Sequence, residues 1–202
     1  HSFLETDRSF WARILQKYNG NHVTFKEAWI SVTRKVPVEE VKQLAIAVEQ
    51  FYTKRSRRTE FQHSPLHIVA ECGNLLLFKY FAEKTGSMNP KREDGSTPLH
   101  LASQEGHLNI CKSIILNLDD KNPKDNAGET PLFKAAWNGH FEVCKLIIEN
   151  VKDKNLPNND GDTPLHKAAE KGHFEICKLI IDNVDDKNPS YNDGIIRIFE
   201  VL

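Results

Sequence analysis

The chain has 202 residues, with 27 Lys and Arg against 28 Asp and Glu and a formal net charge of −1. That length allows one or two domains, and the near-neutral balance provides no general attraction to nucleic acid or to an anionic membrane surface. No run approaches the roughly 18 apolar residues of a membrane helix, and His1 to Glu5 carry no basic-then-apolar leader.

Taken in order, residues 1–57 predict three helices. Phe10, Trp11, Ile14, Leu15 and Tyr18 share one face of the first, which Thr6 or Asp7 can cap and Asn19-Gly20 ends. Phe25, Ala28, Trp29 and Val32 follow in the second, and Pro37 fits the first turn of a third with Val41, Leu44, Ala45, Val48, Phe51 and Tyr52 as its stripe. Three such helices make a marginal core alone, so this segment reads as a cap on the rest of the chain or as a separate docking module. It holds ten basic and six acidic residues, the remainder seventeen and twenty-two, an asymmetry that suggests two segments of different origin. Lys54, Arg55, Arg57 and Arg58 then form a basic cluster. It fits a nuclear-localisation or nucleic-acid patch, or more simply a solvated helix end whose cations complement the helix dipole.

From there the chain repeats. Thr97-Pro98-Leu99-His100, Thr130-Pro131-Leu132-Phe133 and Thr163-Pro164-Leu165-His166 recur, each trailed by small residues and then Gly-His, with Ser64-Pro65-Leu66-His67 as a worn first copy. The prolines stand 33 residues apart each time, the mark of a repeat array. We read copies at 58–90, 91–123, 124–156 and 157–189. In each, a polar turn ends at a glycine (Gly95, Gly128, Gly161), Thr and Pro open a short helix, and a second glycine (Gly106, Gly139, Gly172) closes it. A second, mostly apolar helix follows, as in Phe174 to Ile181. One such unit cannot bury its own apolar surface, whereas stacked units cover one another. The tail, Ser190 to Leu202, starts another turn and then breaks the motif; it fits a cap over the last copy, or an apolar peptide for another protein's groove.

Cys111, Cys144 and Cys177 share one position in successive copies. Stacked helices place such Cα atoms about 10 Å apart, beyond the roughly 7 Å limit of a disulfide. Free, buried thiols are therefore expected, and with them a cytoplasmic or nuclear setting.

These motifs resemble the ankyrin repeat family over about residues 58–190: a turn glycine, Thr-Pro-Leu-His-x-Ala-Ala, Gly-His and a closing Asn. The resemblance implies an all-α solenoid of helix pairs with β-turn fingers, acting as a protein-binding scaffold. Phe133 departs from the motif histidine, and Leu118, Val151 and Val184 replace the glycine that usually ends the second helix, leaving Asn117, Asn150 and Asn183 to take a left-handed cap. The closing asparagines Asn122, Asn155 and Asn188 are, by the same resemblance, candidates for hydroxylation; a turn asparagine bonding its own backbone is the simpler reading.

No chemistry of catalysis is legible. Six of the nine histidines sit at motif positions, and a catalytic site would need one copy rather than a periodic set. No Cys-x-x-Cys pair, phosphate loop or nucleophile elbow occurs, and Asn158 to Asp162 lacks the spacing of a calcium loop. We therefore expect no enzyme and no cofactor. What remains is surface. The resemblance places variable positions at the turn tips and along the first helix: Glu93, Asp94, Ser96, Gln104 and Glu105; Asn126, Ala127, Glu129, Trp137 and Asn138; Asn159, Asp160, Asp162, Glu170 and Lys171. A mildly acidic face of this kind suits a partner protein of basic character, disfavours nucleic acid, and needs no membrane or second copy of the chain. The alternative is an adaptor in which residues 1–57 dock one protein, such as a ubiquitin-ligase or signalling component, and the repeats hold a client. Trp137 stands where the neighbouring copies have Gln104 and Glu170, so it is either a binding anchor or a ring lying over aliphatic stems.

Overall fold

The computed structural model describes residues 65–184. The three helices expected before residue 57, the basic cluster at 54–58, Asn188 and the tail lie outside the described residues. The chain divides into two compact units, 1–88 and 89–202. Among the described residues there are eight helices and no strand, which gives the all-α solenoid that the family resemblance implied.

In the first unit, α1 (Pro65–Cys72) packs on α2 (Leu75–Thr85). Asn74, which replaces the motif histidine here, caps α2 by accepting the Leu77 N–H at 3.0 Å. Leu66, Val69, Leu77, Phe78 and Phe81 are fully buried or nearly so.

The second unit carries three helix pairs: α3 (Pro98–Gln104) and α4 (Leu108–Ile115), α5 (Pro131–Trp137) and α6 (Phe141–Asn150), α7 (Pro164–Glu170) and α8 (Phe174–Asn183). Each first helix starts at the motif proline behind an extended Thr. Each is short because glycine follows within two residues of its end, at φ 75° for Gly106, 79° for Gly139 and 73° for Gly172. Ala102, Ser103, Ala135, Ala136 and Ala168 let the first helices of neighbouring repeats approach closely; the bulkier Ile110, Ile114, Val143, Ile147, Ile176 and Ile180 hold the second helices farther apart. Small residues on one layer and large ones on the other put the first helices on the inner side of the curve.

Cys111, Cys144 and Cys177 are free and fully buried between the second helices, and burial pushes the first two thiols up to about 12. At ordinary pH these groups are protonated and act as small apolar side chains.

Two local expectations change. Asn117, Asn150 and Asn183 do not take a left-handed cap, since among the described residues only glycines have positive φ. Their side-chain amides instead donate back to the carbonyls of Ser113, Leu146 and Leu179 at 2.8, 2.8 and 2.9 Å, satisfying helix-end acceptors directly. The closing asparagines also reach farther than their own turn. Asn89, Asn122 and Asn155 accept the N–H of Leu99, Leu132 and Leu165, ten residues on, at 2.9, 3.4 and 3.1 Å. Each thus satisfies an orphan donor in the first turn of the following helix. Asn155→Ala is expected to lower the stability of the unit by about 1 kcal/mol, read from the shift of its urea midpoint; an unchanged midpoint would reduce this bond to decoration.

Candidate functional site

The inner face is built from fingers and first helices. In each finger a glycine N–H closes the turn: Gly95 onto the Arg92 carbonyl, Gly128 onto Asp125 and Gly161 onto Asn158. Asp125 accepts the N–H groups of Ala127 and Glu129 at 3.0 and 2.9 Å, and Asn158 those of Asp160 and Asp162 at 3.0 and 2.9 Å. In the second copy, where Arg92 holds that position, the Asp94 carboxylate takes the Ser96 N–H instead. Adjacent fingers are tied by Asn126 and Asn159. Their backbone amides donate to the carbonyls of Asp94 and Ala127, both at 2.9 Å, and their side-chain amides to those of Glu93 and Asn126, at 2.8 and 2.9 Å.

The histidines tie helices. A backbone N–H, that of Thr97, donates to His100 Nδ1 at 3.1 Å, so the neutral ring carries its proton on Nε2, which faces the Glu129 carbonyl at 3.1 Å. Burial holds this imidazole down, to about 4. His166 repeats the local half, accepting the Thr163 N–H at 3.2 Å. His140 and His173 reach the opposite way, from Nε2 to the carbonyls of Gln104 and Trp137, 36 residues back, at 2.8 and 3.1 Å. Three of the periodic histidines, His100, His140 and His173, are thus joints of the stack.

Of the anticipated surface residues, Glu93, Asp94, Asn126, Ala127, Trp137, Asn138, Asn159, Asp160, Glu170 and Lys171 are exposed. Gln104, Glu105, Glu129 and Asp162 are half-buried, and Ser96 is buried at the base of its finger. The acidic residues are accompanied by cations that the sequence reading passed over. Arg92 pairs with Asp94 and holds its carboxyl below the usual range. Lys134 pairs with Asp125 and Glu129, and Lys167 with Asp162 and Glu170 at 2.8 and 2.9 Å. A lysine after Thr-Pro-Leu-x, in two copies, opposite an acidic finger was the signal available for them. Between the second and third copies the face opens into a cleft of about 490 Å³, with Leu101 and Gln104 along it and the pairs Arg92–Asp94 and Lys134–Glu129 at its sides.

Trp137 ends α5 with 36 % of its surface exposed. Its ring lies 6.0 Å from that of Phe133, one turn earlier, and the Lys167 and Lys171 ammoniums sit 5.0 and 5.3 Å from its centroid. The ring thus packs on its neighbours and still presents a face to solvent.

A stack of helix pairs with hydrogen-bonded fingers and a continuous inner face of polar side chains defines a repeat scaffold of the kind that binds other proteins. The chain belongs to the ankyrin repeat family: the family's model of three ankyrin repeats matches residues 37–125 and 110–193. The match starts ahead of the first copy as read from the motif. No curated protein matches the chain. Ankyrin repeats are generally protein–protein interaction modules and are typically not enzymes. No helix among the described residues is long and apolar enough to cross a membrane.

Proposed function

We propose that this protein is a non-catalytic scaffold whose inner face, made of fingers and first helices, binds a partner protein around Trp137. The observation that carries the reading is the half-exposed indole at a position where the fold is served equally by Gln104 and Glu170. Large rigid aromatics of this kind, ringed by polar side chains, supply a disproportionate share of interface energy. The face as a whole is close to charge-balanced: residues 91–105, 124–138 and 157–171 hold eight acidic and six basic side chains. Most acidic groups nearest the helices are already paired. Glu93 and Asp160, exposed at finger tips and without a cation among the described residues, are where basic groups of a partner would be met.

Trp137→Gln, which installs the residue type of the second copy, is expected to keep the fold and weaken partner binding at least about thirtyfold, the scale of an interface anchor. Trp137→Ala is expected to cost about 2 kcal/mol of stability as well, because the packing on Phe133 goes with it. Affinity capture with wild type beside Trp137→Gln checks this. If every protein retained by the wild type is retained equally by the variant, Trp137 is not the anchor.

A further inference from the structure

Phe133 and Trp137 depart from the repeat together, and the departure has a structural cost. In the second and fourth copies the histidine at Phe133's position accepts the N–H of the capping threonine, at 3.1 Å for Thr97 and 3.2 Å for Thr163. Phe133 has no acceptor to offer. Thr130 is fully buried, and its N–H has no partner among the described residues, although its hydroxyl still takes the Phe133 N–H at 3.2 Å. The joint that His100 makes to the next finger is also missing here. An unsatisfied buried donor calls for an explanation.

The explanation lies one turn away. Phe133 is fully buried and its tilted ring props Trp137 from beneath. The Trp137 carbonyl is fixed by His173 and the ring is flanked by two ammoniums. The indole is thereby held in one place while part of it faces solvent, which spares a partner the cost of ordering it. The two ammoniums differ. Lys167 is held by two carboxylates at 2.8 and 2.9 Å. Lys171 is exposed, and its nearest carboxylate, Glu170, is 3.7 Å away, beyond a hydrogen bond. Lys171 therefore has N–H donors to spare beside the ring, while a partner cation placed on the indole would meet two ammoniums.

We infer that Phe133, Trp137, Lys167 and Lys171 form a preorganised anchor for a partner segment that presents an apolar side chain next to a carboxylate, with Phe133 as the positioning residue. The inference rests on the scaffold reading above. It makes the partner two-signed, acidic at this anchor and basic toward the finger tips.

The test uses the full chain labelled with 5-fluorotryptophan. Its three tryptophan ¹⁹F resonances are resolved by NMR, and that of Trp137 is assigned from Trp137→Phe. The probes are two synthetic peptides, Glu-Leu-Glu-Phe-Glu and Lys-Leu-Lys-Phe-Lys. The acidic peptide is expected to shift the Trp137 resonance saturably, at least tenfold more tightly than the basic one, and Lys171→Glu to reverse the order. Phe133→His is expected to melt at the wild-type temperature or above, because the cap is restored, yet to bind the acidic peptide at least fivefold more weakly. Phe133→Leu, which keeps an apolar side chain but removes the aromatic edge, is expected to show the same loss. No shift with either peptide, preference for the basic one, or undiminished binding by both Phe133 variants would overturn the inference. The scaffold reading would survive any of these if Trp137→Gln still lost captured partners.

Discussion

Gly106→Ala is expected to lower the unfolding free energy by about 3 kcal/mol, against about 1 kcal/mol for Gly172→Ala at the same motif position. Both glycines have positive φ, 75° and 73°, so a Cβ is strained at either. Only at Gly106 does a neighbour stand in the way: the Cβ would lie 2.6 Å from His140 Nδ1 and 2.8 Å from Cε1, while nothing lies within 4 Å at Gly172. The His140 ring cannot swing aside freely, because its Nε2–H is bound to the Gln104 carbonyl at 2.8 Å. The difference between the two variants thus measures the fit between repeats, separated from backbone strain. Equal losses in urea titrations would show that the imidazole yields without cost.

Acidification is expected to weaken the array through His100. Its folded pKa, about 4, lies below the unfolded value of 6.5, so the unfolded chain binds the proton first. The contribution of His100 is therefore whole above about pH 6.5 and falls by about 3 kcal/mol as the pH drops to about 4. The cause is burial first; the Asp125 carboxylate opposes it and the Lys134 ammonium adds to it. Protonation at Nδ1 would also set a second donor against the Thr97 N–H. Phe133 shows that this position accepts an aromatic ring without nitrogen. His100→Phe should accordingly be less stable than wild type at pH 7.5, by about 1 kcal/mol, and lose less on going to pH 4. Thermal melts of both proteins across that range decide the matter. Parallel curves would remove His100 from the account.

The helix starts were legible because threonine, proline and glycine act locally: Pro98, Pro131 and Pro164 open helices, and the second motif glycines close them. The burial of the cysteines followed from their period. What the sequence reading missed lies between repeats. Asn122 caps a helix ten residues away, and Trp137 meets lysines 30 and 34 residues on, distances that mean nothing until the stack brings them together. The cations that pair with the acidic groups of this face were missed for the same reason, since Lys134 and Lys167 reach them from the helix side. Ser96 looked like surface because its finger neighbours are, but the turn folds it inward.

The joints between repeats run in both directions. Asn126, Asn159, His140 and His173 donate toward the preceding repeat, whereas His100, Lys124 and Lys154 donate toward the following one. Under tension applied along the chain, the described repeats of the second unit yield one at a time, because both boundaries between them have ties of both senses that break together. Each release frees 33 residues of contour, about 110 Å of extended chain. At the boundary between the third and fourth copies Phe133 makes no tie of the kind His100 makes one boundary earlier, and the forward ties there come from lysines, Lys124 to the Pro157 carbonyl and Lys154 to the Asn183 carbonyl.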